Sequence, residues 1–86
     1  MVVINQGWII RETALSRKYI ANEFTGEFLD INDTTYNILQ IIKQEKCSVD
    51  ALIQKLSAIY HIDCQYITDD VNELLRKLNL FGVIAY

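Results

Sequence analysis

The hydrophobic spacing of this chain changes character once, around Asn32-Asp33, and that change limits what the chain can fold into. Upstream, "GWIIRETA" (7–14), "RKYIANEF" (17–24) and "EFLDI" (27–31) are short runs rich in β-branched and aromatic residues, the composition of strands. Downstream, apolar residues recur at steps of three and four, the period of one helix face. The 86 residues contain no proline, no Gly/Ser linker and no repeat, so nothing divides them into two units. A chain of this length makes one domain.

The turn chemistry sharpens the strand reading. Between Asn22 and Gly26 the sequence suits a hairpin. Asn22 can open a type I turn, and Gly26 supplies the left-handed residue that closes a three-residue loop with a bulge. Met1 to Ile4 reads equally as a further strand or as a frayed end.

Three helices follow. Asn32 or Asp33 can cap the first, which runs to about Glu45 with Thr35, Ile38, Leu39 and Ile42 on one face. Ser48 can cap the second, where Val49, Leu52, Ile53, Leu56, Ile59 and Tyr60 keep helical spacing. For the third, Thr68 is either the cap or an interior residue of a helix beginning nearer Gln65, and Gly82 stops it. Its apolar face is Val71, Leu74, Leu75 and Leu78. The expected fold is therefore α+β, in the order β-β-β-α-α-α. A three-stranded antiparallel sheet is followed by three helices, in the manner of a winged helix-turn-helix with its wing placed first.

Composition removes several functions. The charged fraction of 22% and hydrophobic fraction of 51% fit an ordinary globule. No apolar run approaches the roughly 20 residues of a membrane span, and no signal peptide precedes the first strand, so a cytoplasmic protein is expected. His61, Cys64 and Cys47 are too few and too poorly spaced for a zinc site, and no metal or cofactor is expected. No activated nucleophile, carboxylate constellation or glycine-rich phosphate loop is present, which argues against an enzyme. The net charge of −3 argues against nucleic acid. The third helix, the recognition helix in a DNA-binding reading, carries Asp69, Asp70 and Glu73 against Arg76 and Lys77.

Four segments in order resemble the PqqD-like family of peptide-binding domains. They are "TGEFLDIN" (25–32), "TTYNILQII" (34–42), "SVDALIQKLSAIYHID" (48–63) and "DDVNELLRKLNLFGVI" (69–84). Two departures stand out: Ile31 where leucine is usual, and "KQEK" (43–46) in place of an Asp-Gly turn. The resemblance implies a recognition element for the leader segment of a ribosomally made precursor peptide. In this family the leader adds to the last strand of the sheet as a further strand, and the third helix walls the groove. Carried onto this chain, Glu27, Phe28, Leu29 and Asp30 would supply the strand, and Asp69, Asn72, Leu75 and Arg76 would border the groove. Leu75 is chosen as the pocket wall because Val71, Leu74 and Leu78 make a complete core stripe without it. The partners implied are a precursor leader peptide and a separate leader peptidase or modifying enzyme, in lasso peptide biosynthesis or, second, in the PQQ pathway. A monomer or weak dimer is expected. A DNA-binding winged helix and a module that dimerises through its edge strands are the competing readings.

Overall fold

The computed structural model describes residues 1–86, and its elements run β1 (Val3–Ile4), β2 (Trp8–Glu12), β3 (Lys18–Asn22), β4 (Phe28–Asp30), α1 (Asp33–Gln44), α2 (Val49–Tyr60), α3 (Cys64–Leu80) and β5 (Ile84–Ala85). The three expected strands form an antiparallel sheet in the order β2-β3-β4, and the three expected helices follow. No helix is long and apolar enough to cross a membrane.

The hairpin between β3 and β4 is built as its turn residues dictate, with one more residue in the loop than expected. Asn22 and Glu27 pair through the Asn22 N–H donating to the Glu27 carbonyl at 2.8 Å, which leaves residues 23–26 in the loop. The Asn22 Oδ1 accepts from the backbone N–H groups of Phe24 and Thr25 at 2.9 and 3.2 Å. That Asx turn absorbs the extra residue. Gly26 closes the loop at φ 79°, the left-handed conformation that glycine adopts at least cost.

The helix ends follow the sequence closely. Asn32 caps α1 by accepting from Thr35 N–H at 2.8 Å, and Ser48 caps α2 by accepting from Ala51 N–H at 3.1 Å. α3 begins at Cys64, so Thr68 lies inside it, where its hydroxyl donates to the Cys64 carbonyl at 2.6 Å. α3 ends in a Schellman turn: Val83 N–H donates to the Leu78 carbonyl at 2.9 Å and Gly82 N–H to that of Asn79 at 3.0 Å. Gly82 holds φ 77° with open space where a Cβ would lie. Gly82→Ala therefore costs only the left-handed penalty, about 1 kcal/mol. Urea unfolding should show it as a lower midpoint with an unchanged slope.

Residues 1–4 do not fray. β1 pairs antiparallel with β5, Val3 opposite Ala85 and Ile4 opposite Ile84, and Val2 bridges to Cys47. The Asn5 side chain and the Trp8 indole both donate to the Gly82 carbonyl, at 2.8 and 3.0 Å. This clasp ties the first residues to the last. β5 has no counterpart in the expected order, because two residues give no readable period.

The core lies between the inner face of the sheet and the three helices. It gathers Ile20 of β3, Ile38 and Leu39 of α1, Leu52 and Leu56 of α2 and Leu75 of α3, all 2% exposed or less. Lys18 joins the sheet to α1. Its ammonium lies 3.2 Å from Glu12 and 3.0 Å from Asp33, over the Tyr36 ring, and these hydrogen bonds raise its pKa.

Candidate functional site

β4 is the last strand of the sheet, and its second edge has no partner among the chain's own elements. The pairing register shows which groups this leaves free. Toward β3, Ile31 N–H donates to Lys18 at 3.1 Å and the Glu27 carbonyl accepts from Asn22. In an antiparallel ladder these directions alternate, so Leu29 also bonds inward, opposite Ile20. The N–H and C=O groups of Phe28 and Asp30 point the other way, out of the sheet. Of the four strand residues in the expected site, two thus offer main-chain pairing. Glu27 and Leu29 do not: the Glu27 carbonyl and Leu29 are committed to the hairpin ladder.

Side chains alternate in the same way. Leu29 turns inward and packs on the core. Phe28 and Asp30 stand on the outer face, which no helix covers. The Phe28 ring is 56% exposed and lies 4.9 Å, centroid to centroid, from the Tyr19 ring on β3. Asp30 receives two hydrogen bonds from the Arg17 guanidinium, at 2.8 and 3.2 Å. Those bonds, helped by the positive charge, hold the Asp30 carboxyl below the usual carboxylate range and raise the pKa of Arg17. A carboxyl whose pKa falls on folding contributes its stabilisation above the ordinary value near 4 and loses it as pH drops through the lowered one. Arg17→Ala should therefore raise the Asp30 midpoint in an NMR pH titration. An unmoved midpoint would remove this ion pair from the description.

α3 packs against α2 and β5. Asp69, Asn72 and Arg76 lie on its exposed surface, with Arg76 held by Glu73 through hydrogen bonds of 2.6 and 3.1 Å. These bonds lower the Glu73 pKa and raise that of Arg76. Leu75 is not a groove residue. It is 0% exposed and belongs to the core stripe Val71-Leu75-Leu78. Leu74 is the half-buried neighbour that reaches a surface cleft.

That cleft, of about 190 Å³, lies among the start of α1, the end of α2 and the first turns of α3. Leu74, Ile67, Tyr60 and Ile62 give it an apolar lining, with Asp70 and Thr34 as its polar groups. Tyr60 is fixed there by the Asn37 side-chain amide, which donates to its hydroxyl at 2.7 Å. Thr34 comes four residues after Asp30 in the chain. Sequence reasoning missed this lining. The available signal was Ile62, an apolar residue on a tight connection, 43% exposed and with no stripe to join.

An open strand edge is the geometry that accepts an extended peptide. The family model for coenzyme PQQ synthesis protein D (PqqD) matches residues 11–84 of the chain. The chain belongs to the PqqD family. No curated protein matches it. Among solved structures, it superimposes on one described as "TbiB1 in Complex with the TbiA(beta) Leader Peptide" with a TM-score of 0.80 at 13% identity, over 95% of this chain and 93% of that one. A second, "Lasso peptide synthetase B1 complexed with the leader peptide", gives a TM-score of 0.78 at 19% identity over 99% and 98%. At such identities the likeness concerns the fold, and it extends over nearly the whole length of both. The PqqD match opens at Arg11, inside β2, and takes in the β3-β4 hairpin and all three helices. The β1 strand, which forms half of the terminal clasp, lies outside it.

Proposed function

We propose that this chain binds the leader segment of a ribosomally made precursor peptide as a fourth strand on β4 and holds it for a separate leader peptidase or modifying enzyme. The observation that carries this reading is the vacant outer edge of β4. The residues most able to close it, those before β2, are engaged instead with β5 and Cys47. Main-chain groups of Phe28 and Asp30 give the affinity in strand addition, and side-chain pockets give the register. The apolar cleft beside α3 is such a pocket, suited to one aliphatic or aromatic side chain of the guest. Asp69, Asn72 and Arg76 are exposed on α3 but do not line this cleft, and Leu74 takes the place first assigned to Leu75.

Both solved structures named above are complexes with a leader peptide, and one of them is a lasso peptide synthetase component. They support a lasso-type pathway. The family description favours a second setting, coenzyme PQQ synthesis, in which the same edge would serve a different precursor. In either case the chain is the carrier of the peptide, a monomer or weak dimer within the cytoplasm, and the chemistry belongs to the partner.

The test is a backbone scan of the cognate leader peptide. Each residue in turn is N-methylated, and affinity is measured by calorimetry. Strand addition gives losses at every second residue, because only alternate N–H groups face β4. A loss pattern with no period of two, or binding that shifts the amide signals of α3 and leaves Phe28 and Asp30 unmoved, overturns it.

A further inference from the structure

The sheet has a second open edge, on β2, and its surroundings differ in charge from those of β4. The bond directions again alternate. Thr13 N–H donates to Arg17 and Glu23 N–H to Gly7, at 2.8 and 2.9 Å, so Ile9 and Arg11 bond inward to β3. The main-chain groups of Trp8, Ile10 and Glu12 point outward. Beside them lies a cleft of about 490 Å³, between β1, β2 and the last turn of α1. Trp8, Ile9, Ile10 and Arg11 all line it. Their side chains alternate between the two faces of the sheet, so what these four share is the strand's edge.

The far wall is basic. Lys43 and Lys46, both exposed at the end of α1, face the cleft together with Arg11. The chain has eight cationic side chains, and Arg17, Lys18, Lys55 and Arg76 are in ion pairs. Three of the remaining four are here. No carboxylate lines the cleft. The nearest in sequence are bound elsewhere, Glu12 to Lys18 and Glu45 to Lys55. In a chain of net charge −3, this concentration of unpaired cations beside an unpaired strand is a local reversal of sign. Around β4 no cation stands unpaired: Arg17 is held by Asp30 and Lys18 by Asp33, with Glu27 at the hairpin.

We infer that the β2 edge is a second docking site, taking an extended, carboxylate-bearing segment of a partner protein as an added strand. Main-chain pairing to Trp8, Ile10 and Glu12 supplies the affinity. Arg11, Lys43 and Lys46 select acidic side chains and speed the encounter. Three cations are too few to track a nucleic-acid backbone, whose binding rests on many phosphate contacts. The two edges then sort their guests by charge, so a leader on β4 and a partner on β2 can be held at once. The site stands whether or not β4 takes a leader.

The test uses the full chain, labelled with nitrogen-15, and a short capped peptide of alternating valine and glutamate as the probe. The expected result is a shift of the Trp8, Ile10 and Glu12 amide signals with the β4 amides unmoved. Binding weakens at least tenfold in Lys43→Glu/Lys46→Glu, whose exposed positions leave the fold intact, and the valine–lysine counterpart fails to bind this edge. Equal binding of the lysine peptide, shifts confined to β4, or no shift at millimolar peptide overturns the proposal. So does sedimentation showing that the chain dimerises through β2, which would make a second copy the occupant.

Discussion

Leu75→Ala is expected to lower folding stability by ~2–5 kcal/mol, the range for truncating a fully buried leucine whose surroundings collapse only in part. Leu75 is 0% exposed and lies in the core with Val71, Leu78 and Ile20. A domain of this size holds only roughly 5–10 kcal/mol in all, so this one change removes a large share. Urea unfolding followed by the fluorescence of Trp8, the single tryptophan, reads the loss as a shifted midpoint. Leu74→Ala is the comparison. Its side chain is half-buried and lines the cleft of α3, so the expected stability cost is smaller, about 1 kcal/mol. Its effect appears instead as weaker leader binding. If Leu75→Ala proved nearly neutral for stability and damaging for binding, the assignment of core and groove on α3 would be reversed.

Phe28→Pro is expected to leave the domain folded and to cost roughly 1–3 kcal/mol of leader affinity, about tenfold to a hundredfold. The N–H that proline removes points outward from β4, so the internal ladder keeps all its bonds while an incoming strand loses a donor. Phe28→Ala separates the side chain from the main chain: it removes the ring and its contact with Tyr19 but keeps the N–H. Proline at Leu29 is no substitute, because that N–H faces β3 and its loss breaks the sheet itself. Calorimetry with the cognate leader and a thermal melt for each variant check both parts. Comparable affinities for Phe28→Pro and Phe28→Ala would mean that main-chain pairing at this position contributes nothing.

The type and order of β2 to β4 and of the three helices, and the caps at Asn32 and Ser48, were legible in the sequence, because each depends on residues within one turn or one period of each other. The open edge of the last strand was legible in outline. Its details were not. The spacings Val71-Leu74-Leu78 and Val71-Leu75-Leu78 fit a helical period equally well, and only the rotation of α3 against α2 and the sheet decided which leucine is core. Likewise, a period of two says that alternate strand residues are equivalent without saying which alternation faces out. The Asn22–Glu27 pairing fixed that, leaving Phe28 and Asp30 free and committing Leu29. The clasp of β1 on β5 joins residues 80 and 82 positions apart, beyond the reach of any local pattern. Local chemistry therefore wrote the elements, and long-range packing chose the faces and left two sheet edges open.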